Sequence, residues 1–192
     1  MYKKQLTVQR ILCLAALIAA VIMFVYALGI MTDLYDSLYF VRRGSDPERT
    51  AVHGSTIFYT MQDFNQQLLL ASIGMILLGV VLFITNTHSR RKYYIGNYVS
   101  SGVYVAAAIA STIWSHGQIE AFKLEFLDID FAALAEHAER MNTLYTESTF
   151  WFDIHYAVFG ILLVVAAGLV INVIWKNKVM AEEKALIGQK GV

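Results

Sequence analysis

Four stretches of this chain, 11–31, 66–87, 97–117 and 154–175, hold no Asp, Glu, Lys or Arg. Each approaches the ~20 residues that a helix needs to cross a ~30 Å hydrocarbon core. Of the 192 residues, 57% are hydrophobic, against roughly 45–50% in a soluble domain. The expected fold is an all-α membrane protein, a four-helix antiparallel transmembrane bundle forming a single domain.

The segments between these stretches alternate in charge. Lys3, Lys4 and Arg10 precede the first stretch, Arg90, Arg91 and Lys92 join the second to the third, and Lys176, Lys178, Lys184 and Lys190 follow the fourth. Acids concentrate in the other two connections, 32–65 and 118–153; the second sets eight Asp and Glu against Lys123 and Arg140. Lys and Arg close to spans stay cytoplasmic, which predicts both termini inside, a multi-pass cell-membrane location, and acidic loops outside. An even number of crossings agrees. The first run is longer than the ~7–15 apolar residues of a signal peptide, so it reads as an uncleaved span. Cys13 is the only cysteine, so no intramolecular disulfide holds the outer loops.

Neither outer connection reaches the ~40 residues below which unaided folding is rare. They must therefore pack on each other, on the bundle or on a partner. In the first, Pro47 marks a turn, and Ile57, Phe58, Met61 and Phe64 recur at helical spacing toward the second span. In the second, Phe131, Leu134, Ala135, Ala138, Met141, Leu144 and Tyr145 form one apolar helix face. Asp128 or Asp130 would cap it, giving a short helix as an extracytoplasmic cap. Past Trp175 the fourth helix is expected to extend about two turns, then fray at Gly188 and Gly191.

The third span is the most polar of the four. Asn97, Ser101, Tyr104, Ala108, Ser111 and Ser115 form a polar seam, and Gly102, Ala106 and Ala110 a small-residue ridge on a neighbouring face. Such a seam either lines a path or packs at the bundle centre, and small residues let helix backbones approach closely. Ala16, Ala20, Gly74, Gly79, Gly160, Ala167 and Gly168 repeat the small-residue theme in the other spans.

Ion-coupled transporters keep ionisable groups at mid-membrane, and this chain keeps none. His116, Asp153 and His155 sit instead at the outer rim, with His137 and Glu147 in the loop between them. Histidines with carboxylates suit zinc, but no H-E-x-x-H, C-x-x-C, G-x-S-x-G or P-loop spacing occurs. The sequence thus calls for no cofactor, no metal and no catalytic residue, and offers no nucleic-acid-binding surface.

The first functional expectation is a non-catalytic accessory subunit of a larger membrane complex, such as an ABC-type importer, whose partners are other integral membrane subunits and the lipid bilayer. The alternative is a small self-assembling channel or transporter with the third span lining the path. A metal or enzyme site at the outer mouth ranks third.

Overall fold

The computed structural model describes residues 2–39, 52–54, 57–87, 94–141 and 146–189. Helices account for nearly all of them: α1 (Tyr2–Tyr39), α2 (Ile57–Thr87), α3 (Tyr94–Leu127), α4 (Phe131–Met141), α5 (Phe150–Asp153) and α6 (His155–Gln189). No strand occurs among the described residues. The local reason is composition: Leu, Ala, Ile and Val dominate, and no proline lies inside any helix. In an apolar solvent every backbone N–H and C=O must be satisfied within the segment, which a helix does unaided.

Three helical segments are long and apolar enough to cross a membrane: Lys3–Met31, Thr60–Thr87 and Phe150–Leu186. Helix α3 is comparably long, 34 residues, or about 50 Å at 1.5 Å per residue. Asn97, Ser101, Tyr104 and Ser115 lie along it, and it is not among those three.

Helix α1 shows how the faces divide. Cys13, Ala16, Ala20, Met23, Ala27 and Ile30 are buried, at alternating spacings of three and four, while Ile11, Leu14, Ile18, Val21 and Val25 are exposed. Both faces are apolar; the buried one is built of smaller side chains. That is the pattern expected where helices associate by close approach rather than by hiding from water.

The chain divides into two compact units, each drawing on all four long helices. The first comprises Met1–Val21, Gly74–Ala110 and Gly160–Val192. Here Gly79 faces Leu17, whose Cα would lie 3.3 Å from an added Cβ, and Gly168 faces Leu12. Tyr104 is buried and its hydroxyl donates to the Ala16 carbonyl at 2.7 Å.

A chain of carboxamides runs through this unit. Gln5 Nε2 donates to Asn172 Oδ1 at 3.1 Å and to Gln9 Oε1 at 3.0 Å. Gln9 Nε2 donates to Asn86 at its backbone oxygen (2.9 Å) and at Oδ1 (3.1 Å), and Asn86 Nδ2 donates to Ser100 Oγ at 3.1 Å. One network therefore ties α6, α1, α2 and α3 together.

The second unit comprises Ile22–Ile73 and Ser111–Phe159. Its interior is aromatic: Phe126 packs on Phe131 and Phe152, and Phe64 on Trp114 and Phe122. The Trp151 indole lies directly over Gly29, and Tyr26 donates to the Trp151 carbonyl at 3.1 Å.

Several expectations shift at the helix ends. Residues 118–127, expected in a connection because of their charge, continue α3 instead: Ile119 and Phe126 bury on its packed face while Leu124 and Glu125 stay exposed. Asp130 alone caps α4, accepting from the Ala133 N–H at 3.0 Å. Asp128 instead pairs with His53 Nε2 at 2.9 Å. Helix α6 runs well past the expected two turns, through Gly188 to Gln189. Pro47, Arg90, Arg91, Lys92, Leu144, Tyr145 and Gly191 lie outside the described residues.

The two longer connections meet. The Asp130 N–H donates to the His53 carbonyl at 3.3 Å, and Gly54, with φ +79°, places its α-carbon against the Ile129 backbone. An L side chain in that left-handed conformation costs about 1–2 kcal/mol, and here a Cβ would also approach Ile129 Cα to 3.0 Å. Gly54→Ala is therefore expected to destabilise the second unit by at least that amount, read as faster limited proteolysis at the 128–131 turn. A cleavage rate equal to that of the unsubstituted chain would refute this.

Candidate functional site

Helix α3 places its seam inward. Asn97, Ser101 and Tyr104 are buried in the first unit and Ser115 in the second, with Ser111 half-buried. The Ser115 hydroxyl has no hydrogen-bond partner among the described residues.

The ridge points the opposite way. Gly102, Ala106 and Ala110 are exposed, and a Cβ on Gly102 would meet nothing within 4 Å. Beside it, in the first unit, Tyr98, Ser101, Gly102 and Val105 of α3 and Leu169 and Val173 of α6 line a groove of about 180 Å³. The small residues therefore fall into two sets. Ala16, Ala20, Gly79 and Gly168 serve internal packing, whereas Gly74, Gly160 and Gly102 have open space where a side chain would stand.

His116 and His155 come together in the second unit, where the last turns of α3 meet the start of α6. His155, the first residue of α6, is buried, with 1% of its surface exposed. Its Nδ1 contacts the Phe152 carbonyl and its Nε2 faces His116 Nδ1 at 2.9 Å. Because a carbonyl can only accept, Nδ1 must carry the proton. Nε2 then presents a lone pair.

Glu120 stands one turn beyond His116 on the same face of α3, with Oε1 3.9 Å from His155 Nε2. The Tyr156 hydroxyl donates to that carboxylate at 2.8 Å. Ligand atoms of His116, Glu120 and His155 all lie within 4.8 Å of one another.

Asp153 takes a different role. It accepts from Lys123 Nζ at 2.5 Å and from the Thr149 hydroxyl at 2.6 Å. This hydrogen bond to Asp153 holds the Lys123 ammonium above the usual lysine range. Glu147 is exposed, and the side chain of His137 lies outside the described residues.

Glu120 is the member that sequence reasoning misses. Its signal is the four-residue spacing from His116, visible only if α3 is known to continue beyond Gly117.

Chemically, the cluster joins two imidazoles and a carboxylate, open on the His116 side and closed on the His155 side. No family model matches this chain, and no curated protein or solved structure is significantly similar to it.

Proposed function

We propose that this chain is a non-catalytic, four-span subunit of the cell membrane, both termini cytoplasmic, that docks a larger integral-membrane partner on the exposed face of α3. The observation that carries this reading is the open ridge: Gly102 with nothing within 4 Å of a Cβ, flanked along the helix by exposed Ala106 and Ala110. A second apolar helix could lay its backbone against such a surface, as small residues permit in lipid. The apolar groove beside Gly102 offers room for that helix's larger side chains.

The reading of four spans rather than three is supported by where α3 keeps its polarity. Asn97, Ser101, Tyr104 and Ser115 are buried, while Ile95, Val99, Val103, Ile109 and Ile113 are exposed. Lipid tests only the outward face, whereas average hydropathy mixes both. The antiparallel bundle with a helical outer cap, inside-basic and outside-acidic, rests on that face and on the charge pattern. The class of complex we assign is a transporter, such as an ABC-type importer, in which the partner carries the mid-membrane charges that this chain lacks.

Gly102→Ile combined with Ala106→Leu is expected to reduce co-purification of the partner at least tenfold in mild detergent. The free subunit should unfold no more easily, since leaving Gly in an open helix position gains up to about 1 kcal/mol. Undiminished co-purification, or recovery of the natural chain only as a monomer under gentle conditions, would sink the docking reading. Mass spectrometry of the co-purified chains tests the transporter assignment.

A further inference from the structure

We propose that His116 Nδ1, His155 Nε2 and a Glu120 carboxylate oxygen form a binding site for a divalent late-first-row cation, with Zn²⁺ as the probe ion. The site would clip α3 to the start of α6. This inference is independent of the docking face on α3.

The distances are close to what the ion requires. Zinc binds imidazole nitrogen at ~2.0–2.1 Å and carboxylate oxygen at ~2.0–2.2 Å in tetrahedral geometry, which puts neighbouring ligand atoms about 3.3 Å apart. The His116–His155 nitrogen pair stands at 2.9 Å and the His155–Glu120 pair at 3.9 Å. Shifts of about half an ångström bring these two pairs to that spacing, and the third pair, His116 and Glu120, lies within 4.8 Å and closes by rotation of the exposed His116 and half-exposed Glu120 side chains. With three protein ligands, one position stays open, on the side where His116 meets solvent.

The surroundings carry the argument further than the three ligands alone. A metal-binding histidine usually donates its other ring N–H to a carbonyl or carboxylate, which fixes the tautomer and aims the lone pair. His155 does this through Phe152. Ligating carboxylates are themselves held by hydrogen bonds, and Tyr156 holds Glu120.

Lys123, at most one turn beyond Glu120, is paired with Asp153 at 2.5 Å. The simpler alternative is a hydrogen bond alone, His116 Nδ1–H donating to His155 Nε2. That accounts for the 2.9 Å contact but gives Glu120 and Tyr156 no part. Two imidazoles with one carboxylate suit Zn²⁺ and its late-row neighbours better than Mg²⁺ or Ca²⁺, which take oxygen ligands.

The test uses the full chain without a histidine tag, purified in detergent, stripped with a chelator and titrated with Zn²⁺ against a chromophoric competitor. One equivalent per chain is expected, in the micromolar range or tighter, with Mg²⁺ ineffective. His116→Gln and Glu120→Gln should each weaken binding at least tenfold, and Tyr156→Phe about tenfold through the supporting bond.

Because His155 is buried and its loss could unfold the helix start, the decisive variant is the exposed His116→Gln. Its melting curve without metal should match the natural chain, and Zn²⁺ should raise the midpoint of the natural chain only. Substoichiometric binding, or equal affinity in the natural chain and His116→Gln, would overturn the proposal and leave the imidazole–imidazole hydrogen bond as the whole of the contact.

Discussion

Gly29→Leu is expected to be among the most damaging single substitutions in this protein. A Cβ at position 29 would stand 2.1 Å from Trp151 Cη2 and 2.2 Å from its Cζ3, and the remaining leucine carbons would need the space that the indole fills. Trp151 cannot simply swing aside. Its ring lies tilted against Tyr26 and edge-on to Phe150, and its backbone carbonyl accepts from the Tyr26 hydroxyl.

Overpacking a filled interior costs typically ~1–3 kcal/mol, and a clash with a held aromatic ring belongs at the upper end. Unfolding titrations in mixed micelles should show the midpoint fall accordingly. The same substitution at Gly74, where nothing lies within 4 Å of a Cβ, should leave the midpoint unchanged or raise it. Trp151→Ala in the Gly29→Leu background should recover part of the loss, with a coupling of about 1 kcal/mol or more. Equal midpoints for the Gly29 and Gly74 variants would contradict this packing.

Gln9→Leu is expected to have the second large effect, by a different mechanism. Gln9 accepts from Gln5 and donates twice to Asn86, so its loss strands polar atoms on two helices at once. Leaving a buried polar group unpaired costs ~1–3 kcal/mol. Single interhelical bonds within a membrane measure less, averaging ~0.6 and reaching ~1.7 kcal/mol. Three bonds lost together put the expected destabilisation at about 2 kcal/mol.

The informative comparison is the set of leucine replacements at Gln5, Gln9, Asn86 and Asn172 made together. Replacing every partner leaves few groups unpaired, so the quadruple variant should lose much less than the sum of the four singles. Strict additivity would show that the carboxamides act separately rather than as a network. The network lies where α1, α2, α3 and α6 supply the first unit, so it also opposes sliding of any one helix past the others.

The outlines of this fold are legible in the sequence because solvent and backbone chemistry decide them locally. An uncharged run of about 20 residues has one stable form in lipid, so α1, α2 and α6 can be placed from composition. The start of α2 at Ile57 and the helix beginning at Phe131 are legible from the spacing of Phe58, Met61 and Phe64 and of Leu134 and Ala135. The extension of α3 to Leu127 is not, because charge at Glu120, Lys123 and Glu125 reads as a loop. Ile119 and Phe126, buried together on one face, were the available signal.

Facing is the larger gap. The exposed Leu14 side and the buried Ala16 side of α1 are both apolar, and helical periodicity carries no inside or outside when lipid is as greasy as the neighbouring helix. Composition and charge order were enough to fix the helical form of the apolar runs and the sign of charge at their ends. Packing between helices was needed to fill Gly79 and Gly168 while leaving Gly74 and Gly102 open, to bring Gln5 and Gln9 to Asn172 and Asn86, and to set His155 against His116. Those side-chain pairs lie from 39 to 167 positions apart in the chain. No local pattern spans such distances, and only side-chain size, which sets how closely one helix lies on another, brings them within reach.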